Sequence, residues 1–209
     1  MTKKNILETI ERLKAHYPST CQLTHQTDYE LLFSVRLSAQ CTDARVNMVT
    51  PTLFARFPTL EDYANADVEE IRSIIKSCGF YVVKGADIKN AAIMLLEKFG
   101  GKVPDNMEDL LSLPGVGRKT ANCVMVFAFE LPAIPVDTHV HRISNRLGLV
   151  DTKNPDDTEV ELCKIAPKDL WIKLNDLMVQ FGQNICKPTS PQCEVCPCTE
   201  ICDYFGENV

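Results

Sequence analysis

The clearest structural signal in this chain is the string LLSLPGVGRKTA at residues 110–121, which joins two helical stretches through a glycine-containing turn. Gly115 and Gly117 permit backbone conformations and close approaches that a Cβ atom would forbid. The second helix presents backbone N–H groups and the positive end of its dipole at this turn, and phosphate suits that geometry. An ordinary helix–helix turn is the alternative. The complete L-P-G-V-G-x-K string, with Lys119 in the first turn of the helix, favours phosphate binding.

Helical periodicity continues over most of the chain, as in the stripe of Ile88, Ala91 and Leu95. Asp28 and Thr42 precede two such stretches and are predicted N-caps. Sustained period-two alternation bounded by turn dipeptides is absent from the sequence. The sequence therefore predicts an all-α fold, with further helices near residues 84–99, 106–113, 117–129, 138–147 and 167–181.

Four cysteines close together near the C-terminal end have the spacing C-x6-C-x2-C-x5-C: Cys186, Cys193, Cys196 and Cys202. Prolines between them argue against regular helix or strand. Four thiolates this close can surround one soft metal centre. A zinc site usually has two short knuckles, and only one is present here, so iron–sulfur is favoured over zinc or a disulfide pair.

Composition places limits on the class of protein. The 209 residues are 45% hydrophobic and 24% charged, as in ordinary globular proteins. The start lacks the apolar region of a signal peptide, and no apolar run is long enough to span a membrane. We therefore expect reduced thiols and a reducing compartment. Cys198 is interpreted as a spare thiol, and five scattered cysteines are predicted to be buried apolar residues: Cys21, Cys41, Cys78, Cys123 and Cys163.

Charge gives a mixed indication about nucleic acid. The net charge of −6 and the pI near 5.3 count against a nucleic-acid partner. However, residues 112–129 contain no acidic side chain and carry Arg118 and Lys119. A local basic site on an acidic protein is predicted, with DNA affinity that falls quickly as salt rises.

A second polar segment, VDTHV at residues 136–140, contains Asp137, which lies 18 residues beyond Lys119. Asp137 is placed to be the N-cap of the helix that carries Ile143. It can cap through one carboxylate oxygen while the other oxygen faces a cleft, so the capping and functional interpretations both stay open.

The chain resembles the endonuclease III family of DNA glycosylases, in the helix-hairpin-helix glycosylase superfamily. Four motifs in the family's order carry the resemblance: LSAQCTD at 37–43, LPGVGRKTA at 113–121, VDTH at 136–139, and the four-cysteine tail. Together they extend over most of the chain, from about residue 30 to residue 203. One hairpin motif would be a weak signal, and four in register are a specific one.

The resemblance implies a bifunctional DNA glycosylase and abasic-site lyase of base excision repair. Lys119 matches the family's nucleophile and Asp137 its catalytic carboxylate. The implied substrates are oxidised pyrimidines of the thymine glycol type in double-stranded DNA, and abasic sites. Lys119 would form a Schiff base with the sugar C1′ and permit cleavage by β-elimination. Asp137 would assist deprotonation and stabilise the oxocarbenium-like charge.

The resemblance also implies DNA contacts. Gln40 and Phe80 lie where the family places residues that fill the gap left by the extruded base. Phe80 departs from the family's leucine, and a phenylalanine can stack on neighbouring bases. The alternative for Phe80 is a position in a buried turn. The remaining predicted DNA-binding residues are Gly115, Val116, Gly117, Arg118, His139 and Lys187.

A [4Fe–4S] cluster on the four cysteines, with a structural role, is likewise implied. The family layout suggests a six-helix domain at residues 21–132 and a cluster domain built from 1–20 and 133–209. The DNA cleft would lie between Lys119 and Asp137. A monomer in the cytoplasm, associated with the nucleoid, or in another reducing compartment that contains DNA, is expected, without a membrane partner.

Other functions remain open. Adenine-mismatch glycosylases share the hairpin and the cluster, but lack a lysine at position 119. A relative acting on pyrimidine dimers or mismatched thymine is a second enzymatic alternative. A non-catalytic helix-hairpin-helix DNA-binding protein with a metal-bound C-terminal loop is the alternative from another class, and the pair Lys119 and Asp137 argues against it. The chain also departs from the family's pattern at residues 181–184, Phe-Gly-Gln-Asn, which lack the basic residue that the resemblance implies there.

Overall fold

The computed structural model describes residues 3–17 and 23–208, and these residues are organised by α-helices and short 3₁₀ turns, without β-strand. The predicted all-α fold is confirmed. None of the helices within those residues has the length and apolar character needed to cross a membrane. The helices are α1 Lys3–Lys14, α2 Asp28–Ser38, α3 Asp43–Arg56, α4 Leu60–Asn65, α5 Val68–Ile74, α6 Tyr81–Phe99, α7 Met107–Ser112, α8 Arg118–Phe129, α9 Thr138–Arg146, α10 Pro155–Ile165, α11 Trp171–Asn184 and α12 Asp203–Asn208.

The observed helix ends agree only in part with the ends predicted from the sequence. Thr42 caps α3 as predicted. The prediction that Asp28 caps α2 is wrong by one residue, because Thr27 forms a capping box with Glu30. Helix α6 begins three residues before the predicted start at 84, and α10, which Asn154 caps, was not predicted. Cap boundaries depend on which side chain reaches the first-turn N–H groups, and spacing alone does not fix that.

The chain forms two compact units. One consists of residues 1–20 and 131–209, and we call it the terminal unit; the other, residues 21–130, we call the central unit. The domain boundaries implied by the family layout stay a prediction.

The central unit has a core of buried aliphatic and aromatic side chains from α2 to α8. Phe33, Phe57 and Tyr63 form its aromatic part, with the rings of Phe33 and Tyr63 packed edge to face at 5.0 Å. The terminal unit has a separate core, in which Ile6 and Ile10 of α1 pack with the buried sides of α9 and α11. Each unit therefore has its own apolar core.

The scattered cysteines only partly follow the prediction. Cys78 and Cys123 are buried, whereas Cys41 and Cys163 are half-buried at the edges of the cores. Cys21 lies outside the described residues. Cys198, interpreted as a spare thiol, is fully buried in the core of the terminal unit.

Candidate active site and cysteine-rich loop

The hairpin between α7 and α8 has the geometry that its sequence predicts. Leu113 and Val116 anchor the turn in the core, and the N–H of Val116 donates to the Leu113 carbonyl at 3.1 Å. Helix α8 begins at Arg118, with Gly117 as its N-cap. Since glycine has no side chain, α8 begins without a side-chain cap at its N-cap position, and the N-terminal end of a helix dipole suits an acceptor such as phosphate.

Gly115 is required for two reasons that the structure makes explicit. Its φ of +72° lies in the left-handed region. A Cβ atom there would stand 2.5 Å from Nε of Arg36 and 2.5 Å from Oδ2 of Asp87. Arg36 of α2 and Asp87 of α6 form a largely buried ion pair through two bonds, at 2.6 and 2.9 Å. The hairpin therefore rests directly on an ion pair that joins two other helices.

Gly117 differs from the prediction that both glycines are needed for backbone conformation. Its φ is −94°, which any residue can adopt, and a Cβ atom added to it would meet no other part of the described chain within 4 Å. Only close approach by a bound molecule would require glycine here.

Replacement of Gly115 by alanine is expected to destabilise the hairpin. The left-handed conformation alone costs about 1–2 kcal/mol for a residue with a Cβ atom, and the contact with the ion pair adds to it. Urea unfolding measures the loss. Gly117→Ala is the matched control and should change the free energy of unfolding by less than about 1 kcal/mol. Equal stability of the two variants would contradict this account.

Arg118 and Lys119 are exposed in the first turn of α8. The buried residues Thr120 and Ala121 follow them and fix the turn against the core of the central unit. The lysine is therefore presented by a rigid element, next to the N-terminal end of the helix dipole.

Gln40 and Phe80 share an unusual backbone. Gln40 has a φ of +54° and Phe80 a φ of +47°, and both are exposed. Phe80 is 65% exposed, so the alternative that it lies in a buried turn is wrong. Left-handed φ values are uncommon for residues other than glycine and costly for bulky ones, and they are frequent at functional sites.

Asp137, in the terminal unit, is the N-cap of α9. Its Oδ1 atom accepts hydrogen bonds from the N–H groups of His139 and Val140, both at 2.9 Å. Buried Val136 and Val140 flank it and anchor the segment. The capping interpretation is thus confirmed, and the catalytic one stays a prediction.

His139, predicted to contact DNA, has partners within the terminal unit. Its ring Nδ1 lies 3.1 Å from the Arg142 guanidinium, and the ring packs against Gly182 of α11. Burial lowers the pKa of His139, and Arg142 contributes in the same direction. Arg142 itself donates to the carbonyl of Cys186 at 2.8 Å. These contacts give both side chains a structural task.

Three arginines hold the cysteine-rich loop, residues 185–202. Arg146 donates to the carbonyls of Lys187 and Pro188 at 2.7 and 2.8 Å, and stacks on the Tyr204 ring at 4.6 Å. Arg142 bonds the Cys186 carbonyl as above, and Arg12 of α1 donates to the Pro197 carbonyl at 2.7 Å. Lys187 is half-buried. As the prolines predicted, the loop contains only short 3₁₀ turns.

The four predicted metal ligands are half-buried thiols of this loop, and polar groups of the chain already face their sulfur atoms. Arg146 donates to Cys186 Sγ at 3.5 Å, and the N–H of Cys198 donates to Cys196 Sγ at 3.4 Å. Hydrogen bonds from Cys198 lower the pKa of the Cys196 thiol to about 7. Within residues 3–17 and 23–208, no three or more His, Cys, Asp or Glu side chains are arranged to hold a metal ion.

Three features of the site were missed from the sequence. They are the ion pair of Arg36 and Asp87 beneath the hairpin, the clamp that Arg12, Arg142 and Arg146 form on the cysteine-rich loop, and Lys84. The burial of Lys84 could have been predicted from the sequence, since this residue extends the apolar stripe of Ile88, Ala91 and Leu95 by one helical turn towards the start of α6. A lysine in such a position has a specific polar partner inside the protein.

The sequence is similar to a known family of DNA repair proteins and to characterised members of it. A family model described as HhH-GPD superfamily base excision DNA repair protein matches residues 33–168. Endonuclease III of Thermotoga maritima is 45% identical over 181 residues, which cover 86% of this chain and 85% of that protein. Endonuclease III of Bacillus subtilis (strain 168) is 42% identical over 201 residues, which cover 95% of this chain and 92% of that protein.

The fold is also similar to that of a solved protein structure. The structure of a trapped endonuclease III–DNA covalent intermediate matches with a TM-score of 0.94 and 42% identity, covering 99% of this chain and 98% of that one. The similarity therefore extends over both units, and the hairpin, the α9 cap and the cysteine-rich loop all lie within it.

Proposed function

Because this chain belongs to the endonuclease III family of the HhH-GPD superfamily, DNA glycosylases and abasic-site lyases of base excision repair, we propose that Lys119 and Asp137 are its catalytic residues. The proposed substrates are oxidised pyrimidines of the thymine glycol type in double-stranded DNA, and abasic sites. The observation that carries the assignment is the exposed lysine in the first turn of α8, directly after the glycine hairpin.

Lys119 is proposed to act as the nucleophile. Its amine, in the neutral form, attacks the sugar C1′; a C–N bond forms while the glycosidic bond breaks and its electron pair leaves with the base. After ring opening, the resulting Schiff base allows loss of a 2′ proton and expulsion of the 3′ phosphate. The rigid placement of the lysine, with Thr120 and Ala121 buried behind it, supports this role.

Asp137 is proposed to assist deprotonation of the amine and to stabilise the positive charge that develops on the sugar as the base departs. A carboxylate whose Oδ1 is held by two N–H groups has a fixed orientation, which favours both tasks. The cap and the chemistry use the same side chain.

The proposed DNA contacts come from the hairpin and from the exposed residues Gln40 and Phe80. The backbone of Gly115, Val116 and Gly117, with Arg118, is proposed to bind phosphate, and the open surroundings of Gly117 support this. Gln40 and Phe80 are proposed to occupy the gap left by the extruded nucleotide, supported by their exposure and their strained backbone. Phosphate contacts by Lys187 and His139 stay predictions. The contacts of His139 with Arg142 and Gly182 argue against a phosphate contact by its ring.

Members of this family generally carry a [4Fe–4S] cluster. Although no three of the described side chains are arranged to hold a metal ion, the donor chemistry suits such a group: four thiols lie in an irregular loop, and N–H donors are directed at two of the sulfur atoms. We propose that Cys186, Cys193, Cys196 and Cys202 would hold it. When bound, it would supply structural cross-linking of the loop; the chain's own contribution is the clamp by Arg12, Arg142 and Arg146.

Metal analysis separates the alternatives for this loop. Protein purified without oxygen is expected to contain about four iron and four sulfide per chain, as a cubane cluster requires. Removal of the iron by a chelator should expose the loop to proteolysis while residues 21–130 keep their protection, since that unit has its own core. About one zinc per chain and no iron would contradict the cluster.

Borohydride trapping tests the proposed activity. Wild-type protein is incubated with duplexes containing one thymine glycol, one abasic site or no damage, and the covalent complexes are digested and mapped by mass spectrometry. A complex with the first two duplexes, carried on the peptide that contains Lys119, is expected. A complex with the abasic duplex alone would mean another base as substrate, and binding without any complex would favour the non-catalytic alternative.

We propose that the protein acts as a monomer in a reducing compartment. The described cysteines are free thiols, which suits a reducing compartment that contains DNA, such as the nucleoid region of a bacterial cytoplasm. We expect a monomer, without a membrane partner.

A further inference from the structure

Among the residues that the structure describes, Lys84 is the only buried lysine, with 1% of its surface exposed. It lies in the first turn of α6, and its ammonium group donates to the carbonyls of Leu37 and Cys78, both at 2.8 Å. Burial lowers the pKa of Lys84, and the neighbouring thiols of Cys41 and Cys78 oppose this. A buried ammonium group is costly unless it is hydrogen bonded, so these two bonds explain how the protein tolerates it.

The two carbonyls belong to segments that are separate in sequence. Leu37 is in the last turn of α2, and Cys78 ends the 3₁₀ turn Lys76–Cys78. Carbonyl groups at helix C-terminal ends lack a partner within the helix and attract cations. Lys84 therefore joins the ends of two elements, and its two bonds fix the distance between them.

Each of these ends leads directly to a residue with a left-handed backbone. Gln40 follows Leu37 by three positions and Phe80 follows Cys78 by two. Both side chains are exposed, although their backbones are strained, and such strain persists only where surrounding structure holds it. The Lys84 bonds join both segments, and the side chains of Cys41 and Cys78 also meet between them.

We propose that Lys84 is a positioning residue for base extrusion: it sets the separation of Gln40 and Phe80 so that both side chains can enter the duplex together. This role rests on the proposed function, in which these two residues fill the emptied gap. Successive base pairs are about 3.4 Å apart, so a gap of one nucleotide accepts two side chains only at a defined separation. An error of about 1 Å in placement can cost up to about 100-fold in rate.

Lys84 is not the only polar link between α2 and α6 among the described residues. Arg36 and Asp87 join α2 to α6 independently of the lysine bonds. Methionine has a similar length and an apolar stem, so Lys84→Met keeps the packing and removes the donor. The carbonyls of Leu37 and Cys78 would lose this donor, so their segments would lose the two hydrogen bonds that Lys84 makes between them.

The test compares two substrates under single-turnover conditions with the complete, metal-loaded protein. Lys84→Met is expected to release thymine glycol from a duplex about 10- to 100-fold more slowly than wild type. Its cleavage of a single-stranded abasic oligonucleotide should stay within about 3-fold of wild type, because no gap has to be filled there. Loss of both activities to the same extent would show general structural damage and overturn the proposal, as would an unchanged duplex rate.

Lys89→Met is the matched control. Lys89 is in the same helix, and its ammonium group donates to the Ala66 carbonyl at 2.6 Å, so the substitution removes the same kind of bond away from Gln40 and Phe80. It should keep the duplex rate. A loss equal to that of Lys84→Met would overturn the proposal.

A double-mutant cycle with Phe80→Ala adds a readout that a purely structural lysine would not move. If Lys84 acts through Phe80, removing the phenyl ring should cost less in the Lys84→Met background than in wild type. Additive losses would contradict the proposal. Wild-type protein inactive on both substrates would instead contradict the proposed function, and this role with it.

Discussion

Replacing Lys119 by glutamine is expected to abolish strand cleavage and borohydride trapping, with a loss on the order of 1,000-fold or more, as for removal of other enzymatic nucleophiles. Glutamine keeps most of the side chain's length but has no nucleophilic amine. Because Lys119 is exposed, the free energy of unfolding should change by less than about 0.5 kcal/mol. Cleavage of an abasic duplex, trapping and a gel-shift assay measure the three consequences.

Two controls make this result specific. Lys98→Gln, at an exposed lysine near the end of α6, should cleave at the wild-type rate. Lesion binding by Lys119→Gln should persist, because the hairpin backbone that is proposed to bind phosphate is unchanged. Cleavage by Lys119→Gln at the wild-type rate would show that the nucleophile has been wrongly assigned.

Replacing Asp137 by asparagine is expected to slow release of thymine glycol by about 100- to 10,000-fold, the usual contribution of a general acid–base group. Asparagine caps helices as well as aspartate does, and its side-chain oxygen can accept the bonds from His139 and Val140. The substitution therefore removes the charge and keeps the cap. Single-turnover base release, with alkali to reveal abasic sites, measures the effect, and DNA binding should be kept or tightened.

Asp67→Asn is the control for capping alone. Asp67 caps α5 through a side-chain bond to the N–H of Glu69, so the same chemical change is made at another helix N-terminus. Neither variant should lose more than a few tenths of a kcal/mol in stability, and only Asp137→Asn should lose activity. Equal base release by wild type and Asp137→Asn would remove the carboxylate from the mechanism.

The hairpin could be predicted from the sequence because its determinants are local. The turn, the N-terminal end of α8 and Lys119 all fall within residues 110–121, so a contiguous string specifies them. The N-cap at Asp137 was equally readable, since a cap and the N–H groups it bonds are two or three residues apart. The irregular cysteine-rich loop followed from its prolines.

Phe80 shows why exposure was harder to predict. An aromatic residue within the apolar stretch 80–83 suits a buried turn, and the sequence left that alternative open. The structure exposes it because α6 begins at Tyr81, so Phe80 becomes the left-handed residue that precedes the helix. Where a helix begins depends on packing and on capping contacts, which periodicity does not encode.

The all-α class, the family and the short motifs could thus be predicted, because their parts are neighbours along the chain. The contacts that support these motifs became visible only in the folded protein: Lys84 bonds a carbonyl 47 residues away, Arg36 pairs with Asp87 across 51 residues, and Arg146 holds a loop about 40 residues further on. Local motifs arise from short-range backbone geometry, whereas buried charges find their partners only when separate helices pack together.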